Sequence, residues 1–312
     1  MNNKKSGCLP TILMAGALGV WYATHPAPMP RADINESYPL PEEIVVLKTD
    51  LPYENRTRDD GKLEKVVKTK NIDFSKDSFE IKTDRYRFVK DDDWLPSRAV
   101  GFVASLPQKL FFWDWSIGQG LDEKRTRAAL AMIENDKEFH DITLRVNHNE
   151  AFYDWWRMMS EPKLRDRNPF LYRAIVGSIS TIKDEIWAEF GRGDYYNTLT
   201  RTAVVYSNVE SITAHELGHN RDFDRFKTDW LYSLGRTLPP VMCYQEWKAS
   251  SNARDEILSK NDKWQFERYL IPAFATYILA SISIIKRLKK KYWDEKEEPG
   301  RGTSSSRVRI PV

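Results

Sequence analysis

Cysteine and histidine are scarce in this chain of 312 residues, and an excess of charge of one sign is missing altogether. The two cysteines, Cys8 and Cys243, lie far apart, which excludes a disulfide framework and a cysteine-type zinc site. Lysine and arginine number 48 against 45 aspartates and glutamates, a net charge of +3, so no one-signed field points to nucleic acid as a partner. No internal repeat is visible, which excludes a solenoid. What remains is 41% apolar residues, enough for a packed core, and five histidines, of which His215 and His219 fall within one helical turn of each other.

The two ends of the chain read differently from the middle. Residues 1–27 carry Lys4 and Lys5 ahead of an apolar stretch from Leu9 to Ala23, and prolines 26, 28 and 30 close it. A small-x-small cleavage site is lacking, so the segment reads as an uncleaved anchor rather than a removed signal. Near the other end, within residues 266–291, Tyr269 to Ile285 runs without a charge and is followed by Lys286, Arg287, Lys289, Lys290 and Lys291. That run is at the lower limit for a spanning helix. Lysines on the outer flank of both segments place both termini in the cytosol and the domain between them on the extracytoplasmic side. Residues 292–312, polar and rich in Gly, Ser and Pro, read as a disordered tail.

Between the ends the expected class is α+β, strands first and helices later. Residues 28–100 are charged and Pro-punctuated, with alternating runs at Glu43–Lys48, Lys62–Val67 and Phe79–Val89, and read as a β-rich region packed on the main body. In residues 101–265, Asp122 can cap a helix through Phe139, Ile142–Val146 alternates as a strand, and Asn149 opens an aromatic helix. Pro169 suits the start of a long helix to about Phe190, and Thr202–Tyr206 is the strongest strand signal. Asn208 is placed to cap the next helix. The aromatics Phe111, Phe112, Trp113 and Trp115, and Phe152, Tyr153, Trp155 and Trp156, read as core packing in preference to a membrane belt.

His215-Glu216-Leu217-Gly218-His219 is an HExxH motif. Four residues are about 400° of rotation and about 6 Å of rise, so both imidazoles leave one helix face and can share one ion. Neutral imidazole nitrogens suit Zn2+. Glu216 is placed as the general base for a water that the metal polarises. Ala214 and Gly218 are small enough for a neighbouring helix to come close, and Ile212, Leu217, Phe223 and Phe226 give the helix an apolar side.

A catalytic zinc needs a third protein ligand and an open position. The metzincin continuation is excluded, because Asp222 and Arg225 stand where it needs Gly and His or Asp. Pro239 and Pro240 open a further helix that carries Glu246, 27 residues after His219. Ala249, Ser250 and Ala253 follow on the same face and permit close helix packing. Glu246 is therefore the expected third ligand, with Asp222, Asp224, Asp229 and Glu256 as rivals and Asp229 foremost among these. A donor for the developing oxyanion is also needed, for which Tyr195, Tyr196, Tyr206, Tyr244 and His148 are candidates. Cys243 is close enough to Glu246 in sequence to face the site.

HELGH followed by a glutamate on a second helix resembles the gluzincin metallopeptidases. The segments EWKASSNA (246–253) and AFATYI (273–278) are similar to the E-x-x-A-S-x-x-A and A-x-x-T-Y-V elements of bacterial membrane-bound neutral zinc metallopeptidases. The resemblance extends from Thr202 to Ile278. It implies a zincin-like domain with a mainly helical active-site half, one zinc per chain held by His215, His219 and Glu246, and hydrolysis of a peptide or protein substrate. It also implies that the strand before the motif, Thr202–Ser207, is an edge that pairs with extended substrate. Ser250 occupies the place where some gluzincins carry an aspartate that orients the first histidine. Two other readings of the same residues are a zinc-binding membrane protein without proteolytic activity and a zinc hydrolase acting on another bond.

Overall fold

A computed structural model describes residues 38–76, 78–91, 95–223, 228–259 and 262–297. The apolar segment 1–27, Asp224, Phe226 and the chain beyond 297 lie outside the described residues, as does the side chain of Glu256. The strands are β1 (Glu43–Val46), β2 (Lys48–Thr49), β3 (Glu54–Thr57), β4 (Leu63–Lys68), β5 (Phe79–Lys82), β6 (Tyr86–Lys90), β7 (Ile142–Val146), β8 (Tyr195–Asn197) and β9 (Thr202–Val205). The longer helices are α1 (Leu95–Ala104), α2 (Leu106–Phe112), α3 (Glu123–Asn135), α4 (Ala151–Ser160), α5 (Ser178–Gly191), α6 (Glu210–Phe223), α7 (Pro239–Asn252) and α8 (Ile271–Glu297). The class is mixed α+β.

The strands form two sheets, β1-β4-β3 and β2-β5-β6-β7-β9-β8. The second corrects the division at residue 100. β6 pairs in parallel with β7, Phe88 opposite Leu144, so the early strands continue the sheet that carries the motif helix instead of forming a region of their own. The pairing follows from the side chains: Phe79, Ile81 and Phe88 join Leu144, Val146 and Val205 in one core.

Strand alternation sorts the residues of β7 to opposite faces. Ile142, Leu144 and Val146 pack in the main core with Ala128–Ile133 of α3 and with Ala214 and Leu217 of α6. Thr143 and Arg145 face α4, where Arg145 makes a two-pronged contact with Asp154 at 2.9 and 3.0 Å and Arg157 donates to Thr143 at 2.8 Å. Every residue of β7 and β9 is buried, as central parallel strands covered on both faces require.

The expected edge strand is the second correction. β9 is internal, paired in parallel with β7 and antiparallel with β8, and β8 is the edge. A short hairpin return through left-handed Arg201 lays β8 over the position that a strand ending the parallel run would leave open.

Asp122 does cap α3, accepting from the Arg125 amide at 2.8 Å, but the helix ends at Asn135 rather than Phe139. Asn208 does not cap α6, because its side chain is engaged with the backbone and carboxylate of Asp122. The Ser211 amide at that helix start instead donates to Gln265 Oε1 at 3.1 Å. The aromatic clusters also differ from expectation. Trp113, Trp115, Phe152, Tyr153 and Trp156 are exposed, on outward faces of amphipathic segments. Phe112 alone of the first cluster packs against the C-terminal helical region, on Tyr269 at 5.7 Å between ring centres.

A helical run from Lys263 leads through a π-helical turn (Phe266–Leu270) into α8. Lys263–Arg287 is long and apolar enough to cross a membrane. The helix continues to Glu297, so residues 292–297, assigned to the tail from composition, are helical.

The Arg145–Asp154 pair generates a stability prediction. Replacing Arg145 with Met should cost about 3–5 kcal/mol, because it strips a buried carboxylate of its bidentate partner. Chemical denaturation of the two proteins measures the difference, and a loss below about 1 kcal/mol would show that Arg157, 3.1 Å from Asp154, compensates.

Candidate metal centre

α6 and α7 touch backbone to side. A Cβ added to Gly218 would stand 2.3 Å from the Ala249 carbonyl oxygen, so only glycine admits the contact. Asn252 Nδ2 donates to the Gly218 carbonyl at 3.0 Å and locks the same crossing. The small residues identified from spacing, Gly218 on one helix and Ala249, Ser250 and Ala253 on the next, thus lie where the helices meet.

This approach brings Glu246 to the two histidines. Glu246 Oε2 is 3.2 Å from His215 Nε2 and 3.5 Å from His219 Nε2, and one ligand atom from each residue lies within 4.8 Å of the others. Ser250 Oγ is 3.2 Å from His215 Nδ1, so a proton on Nδ1 leaves Nε2 facing Glu246. Tyr196 stacks on the His219 ring at 5.9 Å and accepts from Asn220 at 3.0 Å. Tyr196 belongs to edge strand β8, which therefore runs beside the cluster.

The electrostatics follow from burial. Burial drives the Glu216 carboxyl up to about 8, with His215 opposing and the charges of Asp194 and Glu246 adding to the rise. Burial also pulls His219 down to about 4 against the attraction of Glu246. Burial disfavours charge on His215 as well, but its hydrogen bond with Glu246 and the nearby carboxylates carry it above the ordinary histidine value. For Glu246, desolvation is outweighed by His219, by hydrogen bonds to both histidines and by Arg236, which together hold it well below the carboxylate range.

Three residues of the site had no place in the sequence reading. Arg236 donates through Nη2 to Glu246 Oε1, leaving Oε2 turned to the histidines. Asp194 is half-buried beside Glu216 and accepts from the amides of Tyr206 at 2.7 Å and Ser207 at 2.9 Å and from the Ser207 hydroxyl. It fixes the chain between β9 and α6. Tyr277 of α8 borders the same groove as His215, Glu216 and Glu246. Tyr277 lies within the AFATYI segment and was legible only as part of it; Arg236 and Asp194 carry no local signal, since each acts across a chain reversal.

Of the remaining candidates, Tyr195 borders the β8 side of the groove and the others lie elsewhere. Asp222 accepts from the Tyr232 hydroxyl at 2.8 Å, and Asp229 pairs with Arg201 at 3.4 Å, so neither faces the histidines. Tyr206, a candidate donor and substrate contact, is buried under Arg192 and is not among the residues lining either half of the groove. Tyr195 donates to Asn149 at 2.7 Å, Tyr244 is exposed against Trp247, and His148 sits beside Glu150 at 3.4 Å. Cys243 turns to Ser281 of α8 at 3.1 Å, away from the cluster.

No protein family, curated protein or solved structure matches the chain. The site is read from its own geometry. Two imidazoles and one carboxylate converge on one point, a carboxyl of raised pKa stands beside them, and edge strand β8 lines the groove. Such a set can hold a divalent metal and handle a proton at its side.

Gly218→Ala tests whether the helix contact sets the cluster. We expect a loss of about 1–3 kcal/mol of stability from overpacking, and metal affinity lower by about tenfold or more as Glu246 is pushed away. Denaturation and metal-competition titration read the two effects, and unchanged values for both would refute the dependence.

Proposed function

We propose that the chain is a membrane-associated, zinc-dependent peptidase of gluzincin type. The observation that carries this reading is the ligand spacing. Tetrahedral zinc with bonds of roughly 2.1 Å places neighbouring ligand atoms about 3.4 Å apart, and the Glu246 oxygen stands 3.2 and 3.5 Å from the two Nε2 atoms. The donor chemistry fits as well, because depressed basicity keeps His219 neutral and Glu246 is held as the carboxylate. His215, His219 and Glu246 would hold the ion.

Bound zinc supplies Lewis acidity to the substrate carbonyl and acidifies water. The chain's residues do the rest. Glu216, a buried carboxyl whose raised pKa makes its ionised form a stronger base, takes the proton from attacking water in that form and passes it to the departing amine nitrogen. Tyr277 borders both halves of the groove and offers its phenolic O–H to the carbonyl oxygen as charge develops there. Ser250 and Arg236 hold His215 and Glu246 in place. Extended substrate runs along edge strand β8, Tyr195–Asn197, in the role that the resemblance gave to Thr202–Ser207.

Membrane attachment is read from α8, and its geometry favours lying on the bilayer over crossing it. Leu270, Ala273, Phe274 and Tyr277 face the groove, and buried Ser281 faces α7. Ile271, Ile278, Ile282 and Ile285 form the exposed apolar stripe, followed by exposed Lys286, Arg287, Lys289 and Lys290. Tyr277 stands about 21 Å along the helix from Lys263. A crossing helix would therefore carry Glu216, Glu246 and Arg236 deep into the hydrocarbon, at a cost of several kcal/mol for each charge left without water. An in-plane helix buries the isoleucines and sets its lysines among anionic headgroups. The extracytoplasmic placement then rests on the N-terminal lysines alone.

Two experiments test these proposals. Purified full-length protein should contain one zinc per chain, lost in His215→Ala. Glu216→Gln should retain zinc and lose peptide hydrolysis by about 100-fold or more. Proteolysis that survives Glu216→Gln refutes the mechanism, and zinc without hydrolysis of peptides favours a structural metal or another substrate bond. For the membrane, Glu267→Cys and Lys290→Cys in a Cys8→Ser, Cys243→Ala background should both react with an impermeant thiol reagent from the same side of anionic vesicles. Labelling from opposite sides would establish a spanning helix.

A further inference from the structure

Two helical runs carry their charges inside and their apolar side chains outside. In residues 99–115, on α1, α2 and the turn that follows, every exposed side chain is apolar, the large ones being Val100, Phe102, Val103, Leu110, Trp113 and Trp115. The fold engages both charged residues of this run. Lys109 is buried, and its ammonium donates to the carbonyls of Trp115, at 3.2 Å, and Ile117. Asp114 accepts from the Ser116 amide at 2.8 Å and from the Tyr269 hydroxyl. Residues 169–182, which lead into α5, repeat the arrangement. Their exposed side chains are again all apolar, with Phe170, Leu171, Ile175, Val176, Ile179 and Ile182 spread along about 18 Å of helix. The one charged residue here, Arg173, is buried and donates to the carbonyls of Asn168 at 3.0 Å, Met158 at 3.2 Å and Met159 at 3.1 Å. α1 packs against α5, and Phe102 stacks on Trp115 at 6.2 Å between ring centres, so the two runs adjoin.

We infer that α1, α2 and α5 form a lipid-contact face of the domain itself, separate from the stripe on α8, which rests at the acyl-chain boundary of a bilayer. The inference does not depend on the peptidase reading, and other residues carry it than those of α8. A helix that meets water turns its charged residues outward. These runs do the reverse, although burying a charge is costly until carbonyls or donors satisfy it. Adjoining apolar surface on several elements marks a place of interaction. Its chemistry selects lipid over a second copy of the chain. Protein interfaces carry about one hydrogen bond per 100–200 Å², whereas neither run exposes a polar side chain. Helical backbone bonds to itself and asks nothing of a hydrocarbon surface. The apolar part of the second run, about 18 Å long, is shorter than the roughly 30 Å hydrocarbon core, so it lies along the membrane and does not cross it. Lys183, directly after Ile182, is exposed and opens the polar border, where an ammonium can meet an anionic headgroup. α2, α5 and α8 all border the groove, through Phe112, Ser180 and Tyr277, so the lipid surface adjoins it.

Fluorescent labels on single cysteines test this face in the full-length protein reconstituted with vesicles of phosphatidylcholine and phosphatidylglycerol. Val103→Cys and Ile179→Cys report on α1 and α5, Ile282→Cys on α8, and Leu63→Cys on an exposed position of β4, each in the Cys8→Ser, Cys243→Ala background. The α1 and α5 labels should lose about half or more of their emission to lipids brominated in the acyl chain and little to aqueous iodide, and the β4 label should do the opposite. Iodide access on α1 and α5 equal to that on β4 would overturn the proposal. Shielding of both labels from both quenchers would overturn it too, because a second copy would then cover the face. Lipid quenching of the α8 label alone defeats this face and leaves the α8 reading intact, whereas quenching on α1 and α5 without α8 supports the face and removes α8 instead. The native tryptophans give a measurement that needs no label. Brominated lipid should quench wild-type emission, and the double variant Trp113→Phe, Trp115→Phe should lose part of that quenching; an unchanged quenched fraction counts against the face. Hydrolysis is read in none of these arms, so the peptidase reading is tested separately.

Discussion

The structure depends on one close contact, the packing of Gly218 on α6 against the Ala249 backbone on α7. Helices that meet through backbone stand nearer than helices kept apart by side chains. At this separation a glutamate one turn before Ala249 reaches histidines on both sides of Gly218, and Ser250 reaches the first of them. A methyl group at the crossing would move all these atoms together. The bond from Asn252 to the Gly218 carbonyl makes the crossing directional as well as close.

Around that contact the fold gathers charges that water would otherwise solvate. Glu216, Glu246, Asp194 and Arg236 share a small volume with the two histidines, and the resulting shifts run in opposite directions within a few ångströms. Glu246 is held towards its ionised form because cationic and donor groups surround it, whereas for Glu216 burial outweighs the opposing charge of His215 and raises its pKa. Two carboxyls on adjoining helices thereby differ in how readily they hold a proton. Asp194 contributes by fixing the chain that enters α6 and by adding negative charge beside Glu216.

α8 joins the metal centre to the surroundings of the protein. One side of the helix supplies Ala273, Phe274 and Tyr277 to the groove, and the other presents isoleucines and then a run of basic residues. A single amphipathic element thus borders the His/Glu cluster on one side and presents an apolar and basic surface on the other. Trp113 and Trp115, which follow α2, and Trp156 on α4 are further exposed apolar side chains.

By itself the sequence determined whatever depends on residues within a turn or two of each other. The shared face of His215 and His219, the cap at Asp122, the proline start of α7 and the small-residue faces of α6 and α7 all follow from helical spacing. The choice of Glu246 over Asp222 and Asp229 was legible for the same reason, since its small-residue stripe marked a close helix contact. Tertiary structure decided the rest. The placement of β8 outside β9, the continuity of β5 and β6 with the main sheet, and the arrival of Arg236, Asp194 and Tyr277 at the site are pairings between distant segments. The outward position of the tryptophans was likewise beyond composition, because an aromatic stripe has the same period whether it faces a core or a solvent. Periodicity specifies which residues share a face, and only the order of strands and the crossing of helices specify what that face meets.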